Sequence, residues 1–256
     1  MNEFNVFLRK EITESIRTGR LFILLLLFVL FGIMNPAIAK MLPWMFELLQ
    51  ESMDEIGMTI SDITINAFTS WEQFYKNMPM ALIAFLLLCS NLFSKEYQAK
   101  TLIILVTKGL KRSVIVLSKA FFVNLCWTAG FFLCYGITYF YNDYFWDNSI
   151  AANLFPAALL WYFFGLCMIN ICIFFSVLFN GTGQVLLGTG LVFVLGYLVL
   201  MIPKVGKYSF VFLSKSESLL TNLSKVKDFI PAFVVSAVLI LLSEIAGVLV
   251  INKKQL

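Results

Sequence analysis

Glu244 places a carboxylate inside an otherwise apolar stretch, LLSEIAG. If this stretch spans a membrane, the charge is costly there, and acidic residues in spans commonly form ion sites or line a transport path. The carboxylate could instead pair with a cation or hydroxyl of a neighbouring helix, or reach the membrane interface. Glu244 is therefore a candidate pathway or coupling residue, with a purely structural role as the alternative.

Several kinds of catalytic chemistry lack their residues in this sequence. It contains no histidine, which excludes Ser–His and Cys–His nucleophilic sites and argues against a zinc site. It has no GxxxxGK[ST] motif, and no apolar window holds the two carboxylates of an intramembrane aspartyl-type protease. The glycines of Asn180–Gly183 have neither the strand nor the lysine of a phosphate loop, and they predict a tight turn. We expect no catalytic residue, no bound metal and no directly bound cofactor.

The cysteines also point to packing rather than chemistry. All five lie within apolar windows, without the spacing of metal ligands and without a partner in an outer loop. They are Cys89, Cys126, Cys134, Cys167 and Cys172. We interpret them as small, polarizable packing residues and expect no disulfide framework.

The composition identifies the surroundings of the chain. Hydrophobic side chains make up 60% of the 256 residues and charged side chains 13%, whereas soluble domains have about 45–50% and about 25%. The sequence therefore predicts one all-α membrane domain over residues 1–256. It predicts no nucleic-acid binding, because the net charge of +4 is small and segregated. Six windows of about 20 apolar residues are candidate spans: 21–39, 74–93, 120–141, 154–179, 185–202 and 230–251.

Basic residues predict the orientation of these spans, since Lys and Arg concentrate on the cytoplasmic side. Six spans put both termini on one side, and a cytoplasmic location places twelve of the 19 Lys and Arg residues inside. Six acidic residues between Glu47 and Glu72 then lie in the first outer loop. Five lysines between Lys204 and Lys227 oppose this assignment. On balance, both termini are predicted to be cytoplasmic.

Residues 1–20 predict an amphipathic helix on the membrane surface, with the ordinary basic flank of a span as the alternative. Its apolar arc, which Glu11 interrupts, and one arginine of the basic face are the predicted membrane-surface residues: Phe4, Phe7, Leu8, Ile12, Ile16 and Arg17. Asn35–Pro36 then predicts a kink or an end of the first span. Apolar stripes predict two further interfacial helices, at 42–56 and at 218–229.

The segment between the second and third windows, FSKEYQAKTLIILVTKGLKR (93–112), is basic at its ends and apolar at its centre. A helix over Lys95–Lys108 would have about four turns, with the apolar centre 102–106 around its whole circumference. Such a helix suits insertion into a protein cleft better than contact with lipid. Gly109 then predicts its end. We predict a docking element for a cytoplasmic protein, with a buried turn at the membrane surface as the alternative.

This segment resembles the loop between the second and third spans of ABC-2 type exporter permeases. The family pattern is a glutamate, a Thr-Leu pair, a short apolar run, and then arginine and lysine. The matching positions here are Glu96, Thr101, Leu102, Ile103–Val106, Arg112 and Lys119. The chain departs from the pattern at Lys100, where the family commonly has glycine, and at Gly109, near which it commonly has proline. The start of the chain, KEITESIRTGRLFILLLLFVLFGIMNPAIAKMLP, is also similar to that of Gram-positive members.

The resemblance implies a permease half of an ATP-driven exporter in the bacterial plasma membrane, not itself an enzyme. It would pair with a second, identical or related half and with separate ABC ATPase subunits that bind ATP and Mg²⁺. Segment 95–109 would be the cytoplasmic coupling helix seated in an ATPase groove. The residues implied to contact the ATPase are Glu96, Lys100, Thr101, Leu102, Leu105, Val106, Lys108 and Arg112. The similarity in length to exporter permeases for small peptides favours a hydrophobic or amphipathic cargo, such as a peptide.

Two other functions fit the same residues. A secondary transporter or channel would use Glu244 as its ion group and would need no ATPase. A self-protection or sensor protein would bind a lipid-directed antibiotic without moving it. An adjacent reading frame with a phosphate-binding loop would favour the exporter over both.

Overall fold

The computed structural model describes residues 3–54, 65–90, 106, 107 and 109–254, and the side chains of these residues apart from 47–54. Within these ranges the regular structure is helical, with no β-strand, in agreement with the predicted all-α class. The α-helices are α1 (Glu3–Arg17), α2 (Arg20–Asp54), α3 (Ala67–Cys89), α4 (Arg112–Phe145), α5 (Leu154–Leu178), α6 (Thr182–Met201) and α7 (Ile230–Lys253). Short 3-10 helices occupy Asn148–Ile150, Gly206–Tyr208, Phe210–Leu219 and Val226–Phe229.

Helices α2 to α7 run alternately in opposite directions between the two ends of one bundle. At one end, which we call the basal end, α1 contacts the beginning of α4 through Glu11 and Lys119. There the first residue of α4, Arg112, also contacts the end of α7. At the opposite, distal end, Trp71 near the start of α3 donates a hydrogen bond to Asn148 beyond α4. Helix α1 and the last turn of α7 therefore lie at the same end of the bundle.

Five helices in the described part of the chain are long and apolar enough to cross a membrane: Arg20–Phe46, Arg112–Phe145, Leu154–Leu178, Thr182–Met201 and Val226–Lys253. They coincide with five of the predicted windows, as expected for a multi-pass membrane protein. The remaining window, 74–93, falls mainly on α3. This helix extends from the distal to the basal end, but its first half contains the charged residues Glu72 and Lys76. Its apolar part is therefore shorter than that of the other helices.

Helix α2 continues through Pro36 and Pro43 to Asp54. The predicted end of the helix at Pro36 is therefore wrong, and so is a separate interfacial helix at 42–56, since α2 itself continues to Asp54. Proline removes the N–H that would bond to the carbonyl four residues earlier, which is that of Gly32. Here the Gly32 carbonyl accepts a hydrogen bond from Thr138 Oγ1 of α4 over 3.1 Å. A neighbouring helix thus satisfies the group that Pro36 leaves unpaired.

Thr138 belongs to a chain of polar side chains that joins α2, α3 and α4. Asn35 Nδ2 donates to Thr138 Oγ1 over 3.1 Å, and Asn77 Nδ2 donates to Asn35 Oδ1 over 2.9 Å. Asn35 and Thr138 are buried. Hydrogen bonds between membrane helices contribute about 0.6 kcal/mol on average. The chain therefore adds modest stability, and it fixes which faces of the three helices meet.

Aromatic side chains fill the interior where α2, α3, α4 and α5 meet. The buried Trp127 of α4 has ring-centroid distances of 5.7 Å to Phe28, 5.4 Å to Phe85 and 5.6 Å to Phe131. Phe131 in turn stacks on Trp161 of α5 with centroids 6.3 Å apart. Such pairs contribute about 0.5–1.5 kcal/mol each beyond the burial of area. Helix α4 is therefore the hub around which α2, α3 and α5 pack.

Helix α6 carries glycines that permit close packing at the distal end. Ser209 Oγ donates to the Gly196 carbonyl over 2.6 Å. A Cβ at position 196 would lie 2.5 Å from Cε1 of Phe210, so a larger residue there would displace that ring. The 3-10 helix Phe210–Leu219 is thereby held against α5 and α6, with buried apolar side chains.

The interfacial helix predicted at 218–229 is wrong. The chain turns at Asn222, which has a positive φ of 56°. Leu223, expected on the apolar stripe, is 82% exposed, whereas Leu219 and Phe229 are buried. The apolar spacing arises because residues on both sides of this turn face the bundle, and not because one continuous helix lies on the surface.

Candidate functional site at the basal end

A buried ion pair joins α1 to α4 at the basal end. Lys119 Nζ lies 3.0 Å from Glu11 Oε2, and the two side chains are only 3% and 6% exposed. Lys10 Nζ lies 3.1 Å from Glu11 Oε1 and 3.1 Å from Glu14 Oε2. Because a buried ion is strongly destabilising without a partner, Glu11 and Lys119 hold α1 in place against α4.

Glu14 is the exposed acid of this cluster. Burial raises the pKa of its carboxyl, but the hydrogen bond from Lys10 and the charges of Lys119 and Arg20 lower it by more, so that the pKa lies below the ordinary value. Glu14 therefore remains ionised at neutral pH. The basal end carries acidic and basic side chains next to one another, close to the first turn of α2.

Helix α1 covers most of segment 1–20, but its buried stripe differs from the predicted apolar arc. Phe7, Glu11 and Ser15, spaced by four residues, face the bundle. The predicted membrane-surface residues divide into buried Phe7, half-buried Phe4, Leu8 and Ile12, and exposed Ile16 and Arg17. The physical reason is the attraction of Lys119 for Glu11, which turns the acidic residue inwards. Glu11, which interrupts the apolar arc, thus makes the contact that positions α1.

Arg112, the first residue of α4, caps the C-terminus of α7. Its Nη1 donates to the carbonyls of Ile251, Asn252 and Lys254 over 3.1, 3.4 and 2.7 Å. The last carbonyls of a helix lack partners within it and carry a partial negative charge. The resemblance implied that Arg112 contacts an ATPase, but this guanidinium is directed at α7. The end of segment 93–112 is therefore tied to the last helix.

Lys254, directly after α7, makes a similar contact with the end of α5. Its Nζ donates to the carbonyls of Val177 and Leu178, at the end of α5, over 2.8 and 3.1 Å. Burial lowers the pKa of this ammonium group. Arg112 and Lys254 thus connect the start of α4 to the end of α7, and the end of α7 to the end of α5.

Most of the predicted coupling helix lies outside the described residues, and so do the predicted contact residues Glu96, Lys100, Thr101, Leu102, Leu105 and Lys108. Val106 and Leu110 are half-buried and pack against the hydrophobic core. Gly109 donates its N–H to the Val106 carbonyl over 3.0 Å and has a positive φ of 91°. This is the conformation in which glycine commonly follows the end of a helix, as predicted for this position.

Glu244 lies on α7, about two and a half turns before its last residue. It is half-buried and borders the packed stripe of α7 that contains Gly247 and Ile251. On the other side it adjoins Leu241, which is exposed. Within the described part of the chain, Glu244 forms no hydrogen bond and no ion pair. Nothing described there pairs with the carboxylate, so the pairing alternative gains no support from these residues.

The cysteines form no disulfide. All five are free thiols, buried or half-buried on α3, α4 and α5. Across the residues that the structure describes, no three His, Cys, Asp or Glu side chains are grouped so that they could hold a metal ion.

Comparisons with protein-family models, with curated proteins and with solved structures gave no match. The function is therefore inferred from the residues of this chain and from the resemblance carried by segment 93–112.

Lys119 and Lys254 make contacts between helices at the basal end that the sequence does not predict. In the sequence, Lys119 is one position of the family pattern, and Lys254 is one of the twelve Lys and Arg residues predicted to be cytoplasmic. The sequence does contain a signal for the contact of Lys119 with Glu11. Glu11 interrupts the apolar arc of α1, and Lys119 interrupts the apolar run VLSKAFF. Two opposite charges that each interrupt an apolar pattern indicate a buried pair. The capping role of Lys254 has no comparable signal.

Proposed function

We propose that this protein is the membrane-spanning permease subunit of an ATP-driven exporter, with a separate ABC ATPase that binds and hydrolyses ATP. The observation that carries the proposal is the contact between Arg112 and the last carbonyls of α7. It connects the first residue of α4, which follows segment 95–109 (the proposed coupling helix), to the helix that carries Glu244. A displacement of that segment by a partner would be transmitted directly to a membrane-spanning helix.

In this proposal α3 is the second of six spans, and the basal end is cytoplasmic. The second half of α3 supports this, because Met80, Ile83 and Leu87 expose an apolar surface at helical spacing. Its charged first half, with Glu72 and Lys76, would lie at the outer surface. Arginines and lysines of α1 and of the start of α4 concentrate at the basal end, as expected for the cytoplasmic side.

The proposed partners include a second permease half, identical or related, and the surrounding lipid. Helices α6 and α7 provide the surface for such contacts, because most apolar side chains of α6 are exposed and α7 exposes a row that includes Val234, Val238, Leu241 and Ile245. The proposed cargo is hydrophobic or amphipathic, with an amphipathic peptide favoured. Glu244 would be the group on α7 that lines its path or responds to the movement of the coupling helix.

Substitution of Leu105 by aspartate tests the proposal. Burial of a leucine contributes about 1.5–3 kcal/mol, and an aspartate at the same place would leave an unpaired charge in the interface. We expect Leu105→Asp to abolish co-purification with the proposed ATPase partner, while the permease still inserts into the membrane. Lys108→Ala and Lys111→Ala should retain most of the binding, because exposed charges contribute about 0–1 kcal/mol.

The choice of controls follows from the structure. Lys111 is exposed, whereas Arg112 stabilises α7, so a defect of Arg112→Ala would not identify an ATPase contact. Full ATPase binding and stimulated hydrolysis with Leu105→Asp would rule out segment 95–109 as the coupling element. Transport by the chain alone, without any ATPase, would favour the secondary transporter. Binding of a lipid-directed antibiotic without transport would favour the self-protection protein.

A further inference from the structure

An apolar cleft of about 200 Å³ lies between α1, α2 and α4. Its floor contains Leu24, Phe28 and Phe122, which are buried. Its rim contains Leu25 and Leu125, which are 39% and 49% exposed. The cleft is therefore open on the side of α2 and α4 that faces away from the bundle, where an apolar surface of a membrane protein meets lipid chains.

A smaller polar pocket of about 50 Å³ adjoins this cleft towards the basal end. Leu24, Phe122 and Cys126 line both spaces, so the two form one continuous amphipathic site, which we call the α1–α2–α4 cleft. The charged side chains that line the polar pocket are Glu11, Glu14, Arg20 and Lys119. Its apolar part suits a hydrocarbon chain, and its polar part suits a charged headgroup.

Arg20 is the cation of this pocket that is available to a ligand. Glu11 is bonded to Lys119, and Glu14 to Lys10. Arg20, in contrast, makes no hydrogen bond or ion pair with any residue that the structure describes, although its charge contributes to the lowered pKa of Glu14. A guanidinium is well matched to phosphate, to which it can donate two parallel hydrogen bonds.

We propose that the α1–α2–α4 cleft binds an anionic phospholipid, with the phosphate at Arg20 and an acyl chain in the apolar cleft. The position of Arg20 suits this ligand, because it is the first residue of α2 and the apolar run of that helix begins directly after it. A phosphate at this level lies at the membrane interface while the attached chain follows α2 into the hydrocarbon region. Free phosphate would use only the polar pocket and would leave the apolar cleft empty.

The lipid would also fasten α1 to the bundle. Ile12 of α1 lines the apolar part and Ser15 lines the polar part. A bound phospholipid would therefore contact α1, α2 and α4 at once and stabilise the docked position of α1. The proposal does not depend on the exporter function, because it can be tested on the purified chain without an ATPase.

Native mass spectrometry and thermal unfolding in detergent provide the test, with phosphatidylglycerol as the probe. Diacylglycerol with the same acyl chains lacks the phosphate, and inorganic phosphate lacks the chains. We expect bound phosphatidylglycerol and a raised unfolding midpoint for the natural protein, and neither effect with the other two probes. Arg20→Gln should weaken phosphatidylglycerol binding about tenfold, the effect of losing one charge-assisted hydrogen bond.

Two pairs of variants separate the cleft from general surface effects. Ala129→Phe should fill the cleft from its exposed wall and prevent binding, whereas Val194→Phe, at an exposed position of α6, should not. Arg17→Gln removes an equal charge from the exposed face of α1 and should retain binding. The lipid proposal is overturned by unchanged binding with Arg20→Gln, by equal loss with Arg17→Gln, or by equal binding of diacylglycerol. A cationic amphipathic peptide that binds more tightly than phosphatidylglycerol, and that abolishes the effect of this lipid on the unfolding midpoint, would instead identify the cleft as a cargo site.

Discussion

Thr138 Oγ1 donates a hydrogen bond of 3.1 Å to the Gly32 carbonyl, which is the carbonyl that Pro36 leaves without its helical partner. The two residues lie on different helices, α4 and α2. This contact explains why α2 passes through Pro36 without ending, although proline inside a helix usually interrupts it. It also couples the continuity of α2 to the position of α4.

The first prediction concerns this hydrogen bond. Thr138→Val removes the hydroxyl while keeping the shape of the side chain, so the Gly32 carbonyl and Asn35 Nδ2 both lose a partner. We expect destabilisation of about 1–2 kcal/mol, near the upper end for hydrogen bonds within membranes. Pro36→Ala should reduce this cost, because residue 36 would then supply the missing N–H. Thermal unfolding of the two single variants and the double variant measures the coupling.

Thr189→Val is the matched control, since the buried Thr189 hydroxyl bonds to Val185 of its own helix. It should destabilise less than Thr138→Val. Equal costs of Thr138→Val in the presence and absence of Pro36 would show that the hydroxyl does not compensate for the proline.

The sequence predicts the positions of the spans well and their continuity poorly. Five predicted windows coincide with long apolar helices because hydrophobic length is a local property. The course of α2 beyond Pro36 depends on Thr138, about a hundred residues later in the chain, and no local pattern reports that contact. The sequence does not predict the turn at Asn222 for a related reason, because residues on both sides of a turn can face the same core.

The candidate site was only partly predictable. Glu244 stands out because a carboxylate in an apolar run is a local anomaly. Glu11 interrupts an apolar arc, but its partner Lys119 belongs to another helix. The capping role of Arg112 depends on where α7 ends in space, which the spacing of residues does not reveal.

The second prediction concerns Glu11 and Lys119. Each single substitution, Glu11→Gln or Lys119→Gln, should destabilise the protein by about 3–5 kcal/mol, because it leaves the other charge buried without its full complement of partners. The double variant Glu11→Leu/Lys119→Met should recover much of the loss. Thermal unfolding in detergent measures the effect, and Lys10→Gln, at a more exposed position, serves as the control. Additive losses in the double variant would show that the pair is not coupled.

The third prediction concerns Arg112. Arg112→Ala should destabilise the last turn of α7 and lower the stability of the protein by about 1.5–3 kcal/mol, because hydrogen bonds to a charged donor are lost. Hydrogen exchange of residues 250–254 should increase. Lys111→Ala removes an adjacent, exposed charge and should change neither quantity. Unchanged exchange in Arg112→Ala would show that the cap does not hold the end of α7.

The fourth prediction concerns orientation. In a variant with all five cysteines replaced, Asp54→Cys and Asp147→Cys should react with a membrane-impermeant maleimide added outside intact cells. Gly181→Cys should react only after the membrane is opened, because it lies between α5 and α6 at the basal end. Labelling of Gly181→Cys alone from outside would reverse the proposed orientation.

The last prediction concerns Glu244. If it lines the path of the cargo or responds to the coupling helix, Glu244→Gln should reduce transport while leaving folding and ATPase assembly intact. The substitution preserves size and removes only the charge, and a half-buried position without a described partner should tolerate that change. Ser243→Ala, at the next half-buried position of α7, is a suitable control, since its hydroxyl donates to the Ile240 carbonyl of its own helix. Transport of the cargo into inverted membrane vesicles, measured beside the unfolding midpoint, separates the two roles. Full transport by Glu244→Gln would exclude a role for the charge, whereas a lowered midpoint with proportionate loss of transport would assign Glu244 to the structure of α7.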